Sequence, residues 1–463
     1  MFGATVDPSV VPDWMSSPQS ASASAETDFG LDRMLDLVFI IDATGSMGSY
    51  INSATRNIET ICDNIVHSEL LSRTGALRVG LISYRDHPPQ DHVYIVRNFG
   101  FTDSVLDMKE NLNSLFAAGG GDGPEAATAA LKAVTVLDWR PQAAKMAVLV
   151  TDAPPHGIGE YGDGFPNGSP DGEDPIVLAR AMSAKGITLF VVACEPALSG
   201  YQHAVDFYHG LVNITGGILV PLTTASLLSH VVIAAAGEVM DLDRLHREVG
   251  DAVLERLCSL SITKGEEADT QATDPSAKIV DQIAHELHEK LLLRNESTKQ
   301  LIVESIYRES EESTHNIAMW TRALDVSTAR PHIRKVVGSR LSQKFIDARR
   351  TAQHSTSPPR PESTAGPMMR HIITDFSSFQ AEPGVRIQDT GAGRADYATF
   401  RSGAADMDDD DDAFMADTCA ETSALDNEIH VHGENGQRLS YRHDAISLSQ
   451  ARRLAWQSVS RAA

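Results

Sequence analysis

The chain has 463 residues, with 39 Lys and Arg against 63 Asp and Glu, which gives a formal net charge of −24. A protein this acidic is a poor non-specific binder of nucleic acid or of anionic membrane. Its four scattered cysteines fit neither a disulfide framework nor a zinc knuckle. Its longest apolar runs fall well short of the ~20 residues of a membrane-spanning helix, and its start lacks the features of a signal peptide. We therefore expect a protein of the cytoplasm or the nucleus.

The first half of the chain alternates strand and helix patterns. Residues 1–30 are rich in Ser, Ala and Pro, a composition typical of disorder. Residues 33–241 follow, and five short runs in them are apolar on both faces: 35–41, 77–84, 145–151, 187–194 and 216–222. Such strands are typical of a parallel sheet that helices cover on both sides. This region is therefore predicted to be a doubly wound, Rossmann-like α/β domain with a mostly parallel central sheet.

The second half of the chain has a different character. Residues 242–350 carry helical periodicity and are predicted to form an α-helical appendage. Residues 351–445 are predicted to be disordered, and they include an acidic run at 408–412. Residues 446–461 indicate a short amphipathic helix centred on Trp456.

A basic stretch ends the predicted helical appendage. Residues 330–350 hold seven Lys or Arg against one acid, Asp347, so seven minus one leaves +6. We interpret this stretch as a solvated helix face, which could also contact the acidic run at 408–412 of the same chain. With few aromatic side chains for base stacking, the pattern disfavours a nucleic-acid site.

Oxygen-bearing side chains follow the ends of the predicted strands. The first strand ends in Asp42, and Thr44 and Ser46 come next at alternate positions of a tight turn. The third of the apolar runs leads directly into Asp152, and a glycine-rich loop before it carries Asp122. Because the carboxyl ends of parallel strands meet at one edge of a sheet, we expect these five side chains to converge on one cation. Such hard oxygen ligands suit Mg²⁺, Mn²⁺ or Ca²⁺.

Three motifs resemble a von Willebrand factor A (vWA) domain with a metal-ion-dependent adhesion site. They are the runs FIIDATGSM, GGGDGPEA and VLVTDAPPHG. The family's motif Asp-x-Ser/Thr-x-Ser falls on Asp42, Thr44 and Ser46, and its last carboxylate falls on Asp152. The middle loop of the family usually supplies a Thr, whereas this sequence has Asp122 there, to which we carry over that role.

The resemblance implies a non-enzymatic binding module over about residues 33–241, similar to the vWA domain of the vWA alpha-kinases and of related fungal proteins. In such a module the cation keeps an open coordination position, and an Asp or Glu of a partner protein fills it. The charge of Asp122 in place of a Thr would hold the metal more tightly and attract an acidic partner less strongly. A nucleotide loop and a Cys/His zinc cluster are missing downstream, so the kinase activity of those relatives is not expected here.

Two other functions stay open. A metal-dependent phosphohydrolase could use Asp42 as its nucleophile, because Asp-x-x-Gly-Ser at a strand end also suits phosphate chemistry. Against this, Thr44 stands where such an enzyme needs a second Asp as general acid. A regulatory subunit whose site has lost its metal is the third interpretation. We favour an adaptor or regulatory protein that binds its partner through the metal.

Some polar residues are given structural interpretations. Asp86 and His87 follow the second strand, and we interpret them as part of a plain turn. The loop 159–174 is expected to overhang the metal site as a mobile segment, since its acids do not have calcium-loop spacing. His285 and His288 are one residue too close for a zinc-protease motif, so we assign them to a solvated helix face.

Overall fold

A six-stranded sheet organises the first half of the protein. The computed structural model describes residues 33–69, 71, 73–264, 275–347, 350, 420–422, 428–432 and 437–462. The strands of this sheet are β1 (Leu35–Asp42), β2 (Leu77–Tyr84), β3 (Val96–Thr102), β4 (Ala144–Thr151), β5 (Ile187–Cys194) and β6 (Leu219–Leu222). Their order is β3-β2-β1-β4-β5-β6, and every pair is parallel except β2 with β3. This confirms the predicted doubly wound, mostly parallel sheet.

Helices cover both faces of the sheet. The helices are α1 (Gly48–Ser68), α2 (Val105–Asn113), α3 (Ala127–Thr135), α4 (Pro175–Ala184), α5 (Ala204–Thr215), α6 (Leu228–Lys264), α7 (Pro275–Leu293), α8 (Glu311–Arg322), α9 (Val326–Ala329) and α10 (Leu448–Ala462). One apolar core lies between the sheet and α1, α2 and α6, and a second lies between the sheet and α3, α4 and α5. Strand β1 is buried along its whole length, with Phe39 in the first core and Ile40 in the second. Alternation of buried side chains explains why both faces of the strand are apolar in the sequence.

The strand order places one crevice at the centre of the sheet. The chain passes from β1 to β2 on one side, and β4 pairs with β1 on the other. The order therefore reverses between β1 and β4, and in open α/β sheets ligands bind at the carboxyl ends of the strands at this switch point. Asp42 ends β1, and the loops that follow β1 and β4 carry three more of the predicted metal ligands, Thr44, Ser46 and Asp152.

Helix α6 runs across the predicted domain boundary at residue 241. The helical segment Ala225–Ser259, most of which belongs to α6, is long and apolar enough to cross a membrane by length and composition, although no such segment was predicted from the sequence. The structure buries 78% of an 18-residue apolar stretch of this segment within the protein. Val231 and Val232 pack in the first core of the sheet.

A second, antiparallel sheet joins the predicted helical appendage to the end of the chain. Its strands are β7 (Ser297–Val303), β8 (Ala420–Thr422), β9 (Glu428–His432) and β10 (Arg438–Ala445), in the order β7-β10-β9-β8. The appendage predicted over 242–350 is thus not purely helical. The segment 351–445 was predicted to be disordered, but its described parts belong to strands β8, β9 and β10. Residues 1–30 and the acidic run 408–412 lie outside the described residues. Because β7 pairs with a strand more than a hundred residues away, local periodicity could not show it.

The basic stretch 330–350 is not a solvated helix face. It begins with a 3₁₀ turn at Arg330–His332 and continues without regular structure to a short helical turn at 343–347. Arg340 is buried and pairs with the fully buried Asp206 of α5. A buried carboxylate needs such a partner, so one of the seven cations belongs to the interior.

The end of the chain packs back against the first domain. Leu454 and Ala455 of α10 share a third apolar core with residues of α6 and α7. Arg453 of α10 pairs with Glu238 of α6 at 2.7 Å, and Gln450 donates to the same carboxylate at 2.9 Å. The helix predicted over 446–461 therefore lies at Leu448–Ala462 as a packed element.

Candidate metal centre

Asp42 lies at the switch point as the last residue of β1, and its side chain is fully buried. Its Oδ1 accepts hydrogen bonds from the backbone N–H of Thr44 at 2.9 Å and from the Thr44 hydroxyl at 2.6 Å. Its Oδ2 accepts from Thr151 at 3.1 Å and from Tyr84 at 3.4 Å. Three neighbouring strands thus hold this carboxylate in one orientation.

Three more of the predicted ligands gather around Asp42. The Ser46 hydroxyl hydrogen-bonds to Asp152, which follows the last residue of β4. Burial raises the pKa of Asp42 to about 7, with a second contribution from the charge of Asp152. Burial also raises the pKa of Asp152, while the hydrogen bond from Ser46 opposes the change. The negative charge of Asp152 thus disfavours the ionised form of Asp42, and a bound cation would offset this repulsion.

Three of these four residues border an open cavity of about 560 Å³, whereas the fully buried Asp42 does not. Thr44, Ser46 and Asp152 line it, with Gly120 and Tyr201 on its other walls. The switch-point crevice therefore offers hydroxyl and carboxylate oxygens to one solvent-accessible space.

The structure places Asp122, the fifth predicted ligand, in a neighbouring cluster. Its Oδ2 accepts a hydrogen bond from the backbone N–H of Gly164, and its carboxylate lies beside Asp86 and His156. Residue 122 is not part of the cavity wall. The loop around it contains three glycines of positive φ (Gly119, Gly120 and Gly123), which direct the side chain away from the cavity.

Glu125, rather than Asp122, lies at the cavity wall, and the sequence pattern did not indicate this role. The residue is 5% exposed, and its Oε2 has no hydrogen-bond partner in the described part of the chain. Burial raises the pKa of Glu125 to about 10, with further contributions from nearby carboxylates, of which Asp42 is the largest. The motif GGGDGPEA contains this residue, but a Glu after Pro124 at the start of a helix is ordinarily interpreted as an N-terminal helix residue.

The residues present fit a divalent cation. Asp42, Asp152, Thr44 and Ser46 supply only hard oxygens, which are the ligands that Mg²⁺, Mn²⁺ and Ca²⁺ prefer. The buried Oε2 of Glu125 is a further oxygen that lacks a partner at the same cavity. Nitrogen and sulfur ligands are absent from the residues that line the cavity, all of which the structure describes.

Comparison with known proteins identifies the first domain. The model of the von Willebrand factor type A domain family matches residues 36–215. The alpha-protein kinase vwkA of Dictyostelium discoideum is 31% identical over 143 residues, which are 30% of this chain and 22% of that protein. The putative ariadne-like RING finger protein R811 of Acanthamoeba polyphaga mimivirus is 29% identical over 192 residues, which are 40% of this chain and 18% of that protein. The match thus covers about a fifth of each relative.

Two solved structures show a distant similarity. The pilus adhesin SpaC of Lactobacillus rhamnosus GG, in its open conformation, is 14% identical with a TM-score of 0.34, over 45% of this chain and 30% of that chain. A von Willebrand factor type A protein of Catenulispora acidiphila is 17% identical with a TM-score of 0.31, over 45% of this chain and 43% of that chain. The family match coincides with the doubly wound sheet and with the motif after β1. Residues 36–215 of this chain are therefore a von Willebrand factor type A domain.

Proposed function

We propose that the vWA domain is a divalent-cation-dependent protein-binding module. vWA domains are commonly protein-interaction modules, and the observation that carries the proposal is that Thr44, Ser46 and Asp152 line one open cavity while the buried Asp42 is hydrogen-bonded to Thr44. In the proposal these residues hold Mg²⁺, Mn²⁺ or Ca²⁺. When bound, the cation supplies an open coordination position that an Asp or Glu of a partner protein fills.

The ligand residues have separate roles in this proposal. Thr44 and Ser46 are neutral donors, so they leave positive charge on the cation for an incoming carboxylate. Asp42 is oriented by the hydroxyls of Thr44 and Thr151 before any ligand arrives.

The proposal includes no catalytic step. The Asp42 carboxylate is fully buried and is not part of the cavity wall, which does not favour its use as a phosphohydrolase nucleophile. A hydroxyl at residue 44 also cannot replace the general acid of such an enzyme. The match to vwkA covers 22% of that protein and carries no kinase activity to this chain.

We also propose that the protein acts as an adaptor or regulator inside the cell, in the cytoplasm or the nucleus. The cysteines that the structure describes, Cys62, Cys194 and Cys258, are all free thiols. Free thiols suit a reducing compartment.

Affinity capture tests the binding function. The full chain and its Asp42→Ala variant are immobilised and exposed to a lysate of the cells that express the protein, with Mg²⁺ or with a chelator. We expect a partner retained by the wild type in Mg²⁺ and lost in the chelator and with the variant. A partner retained equally under all these conditions would contradict a metal-mediated contact, and phosphatase turnover abolished by Asp42→Asn would favour the enzyme instead.

A further inference from the structure

We propose that Asp86, Asp122 and His156 form a second metal site, for a transition-metal dication such as Zn²⁺, beside the vWA metal centre. One carboxylate oxygen or ring nitrogen from each residue lies within 4.8 Å of the others. Imidazole nitrogen with carboxylate oxygen suits Zn²⁺ and related transition metals, whereas the vWA centre offers oxygen alone. The two sites would therefore select different ions.

Three separate segments bring these ligands together. Asp86 comes two residues after β2, Asp122 belongs to the glycine-rich loop, and His156 lies in the loop after β4. The distance from Asp86 Oδ1 to His156 Nε2 is 2.8 Å. Asp86 is fully buried and His156 is 2% exposed, so these two ligands are shielded from solvent competition, while Asp122 is partly exposed.

Two carboxylate oxygens of this cluster lack hydrogen-bond partners, which is a second observation, besides the distances, that points to a bound cation. Asp86 Oδ2 and Asp122 Oδ1 are both buried and have no hydrogen-bond partner in the described part of the chain. A buried carboxylate oxygen without a partner is destabilising, and native proteins rarely retain one without a function. A cation between Asp86 and Asp122 would satisfy both oxygens, whereas in a metal-free protein a shared proton would have to join the two carboxyl groups by a hydrogen bond.

The opposite edge of the His156 ring is arranged as in metal-bound histidines. Its Nδ1 lies 2.8 Å from Asp163 Oδ1. Asp163 is itself held by the backbone N–H groups of Gly157 at 2.7 Å and of Phe165 at 2.8 Å. A carboxylate that accepts from one ring nitrogen fixes the tautomer and leaves the other nitrogen unprotonated, so a metal could replace the present 2.8 Å contact of Nε2 with Asp86 Oδ1. Asp163 is thus a positioning residue, and the Phe165 ring packs edge-on against His156 at 4.8 Å.

The second site would connect the two loops that border the vWA centre. The glycine-rich loop supplies Asp122 to this site, and Gly120 and Glu125 to the cavity of the vWA centre. The loop after β4 supplies Asp152 to the cavity and His156 to the second site. A metal bound to Asp122 and His156 would hold these loops in their present positions independently of any ion at Asp42.

A metal-free alternative predicts the opposite result. The two neighbouring carboxylates outweigh burial and raise the pKa of His156 to about 9, so a protonated ring could bridge Asp86 and Asp163 as a structural ion pair. In that case the full chain would show no Zn²⁺ affinity that depends on His156.

Calorimetric titration of the full chain with Zn²⁺ separates the two possibilities. The protein is stripped with a chelator, dialysed, and titrated in excess Mg²⁺ so that the vWA centre is occupied. We expect His156→Gln and Asp122→Asn each to weaken one binding event by more than about 100-fold, and Asp163→Asn to weaken it by about 10- to 100-fold. His285→Gln, a change at an exposed histidine of α7, is the matched control and should bind as the wild type does.

Two further measurements keep the result interpretable. Far-UV circular dichroism shows which variants are folded, and Asp122 lies on a partly exposed loop, so Asp122→Asn is the variant expected to fold if His156→Gln does not. Co²⁺ in place of Zn²⁺ should give a visible absorption band that changes with His156→Gln but persists in Asp42→Ala. Zn²⁺ binding that is lost in Asp42→Ala, or that is unaffected by His156→Gln and Asp122→Asn, would overturn the second site without touching the proposed vWA function.

Discussion

Gly120 and Glu125 approach each other so closely that a Cβ at residue 120 would stand 2.5 Å from Oε1 of Glu125. Gly120 also has a φ of +83°, a region that favours glycine. The glycine-rich loop therefore serves two purposes at this point. It turns sharply, and it leaves room for a buried carboxyl group at the wall of the metal centre.

A Gly120→Ala substitution tests this relationship. An alanine at positive φ is expected to cost about 1–2 kcal/mol in unfolding free energy. Gly120→Ala should cost more than this, because its new methyl group also displaces Glu125. Gly162→Ala is the matched control, since Gly162 has a φ of +82° with nothing within 4 Å of the added Cβ. Chemical denaturation of both variants measures the difference.

The same pair allows a double-mutant cycle. Adding Glu125→Ala to Gly120→Ala should remove the excess destabilisation and leave the cost of the positive φ. If Gly120→Ala cost no more than Gly162→Ala, the contact between residues 120 and 125 would have no energetic weight.

Much of the arrangement of the candidate centre could be predicted from the sequence, and the part that could not depends on loop geometry. Four of the predicted ligands lie at or just after the carboxyl ends of two buried parallel strands: Asp42, Thr44 and Ser46 at β1, and Asp152 at β4. Because the carboxyl ends of parallel strands meet at one edge of the sheet, the apolar strand patterns already predict that these residues lie close together. Asp122 is separated from the nearest strand by glycines of positive φ, and nothing in the local pattern shows which way its side chain turns.

The interactions of residues far apart in the chain explain the other differences. Asp86 was interpreted as part of a plain turn because its partner His156 lies 70 residues away. The strand pairing of β7 with β10 and the burial of Arg340 against Asp206 are similarly non-local. Sequence periodicity reports which faces are buried, but it does not report which element covers them.

The pair Arg340 and Asp206 should carry much of the stability of the segment after α8. The Asp206 carboxylate also accepts hydrogen bonds from Ser313 at 2.5 Å and from Asn316 at 3.0 Å. Arg340→Ala leaves a buried charge without its counterion and should cost about 3–5 kcal/mol in unfolding free energy. Lys344→Ala removes an exposed cation of the same basic stretch, which pairs with Glu304, and should cost only about 0–1 kcal/mol.

Urea denaturation of the two variants makes the comparison. Equal effects of Arg340→Ala and Lys344→Ala would mean that the basic stretch is a solvated surface, as the sequence analysis expected.

His209 should make the protein sensitive to acid. Burial lowers the pKa of this α5 side chain to about 4, against the opposing charge of Asp206. The unfolded chain takes up a proton below about pH 6.5, whereas the folded protein does so only near pH 4. The contribution of His209 to the free energy of unfolding is therefore complete above pH 6.5. It decreases by up to roughly 3 kcal/mol as the pH falls towards 4.

The variant His209→Phe isolates this contribution. Phenylalanine keeps a ring beside Tyr307, which lies edge-on at 6.1 Å, but cannot take up a proton. Unfolding free energies between pH 7 and pH 4.5 should fall more steeply for the wild type than for the variant. Parallel curves would show that His209 does not titrate differently in the folded and unfolded states.

The central claim is that Asp42 holds a divalent cation, and isothermal titration calorimetry of the full chain with Mg²⁺ and Mn²⁺ tests it most directly. Asp42→Ala is compared with Glu110→Ala, which removes an exposed carboxylate of α2. We predict one binding event in the wild type and in Glu110→Ala that is absent from Asp42→Ala, with Asp42→Ala still folded by circular dichroism. Binding of neither metal by the wild type, or equal binding by all three proteins, would contradict the account.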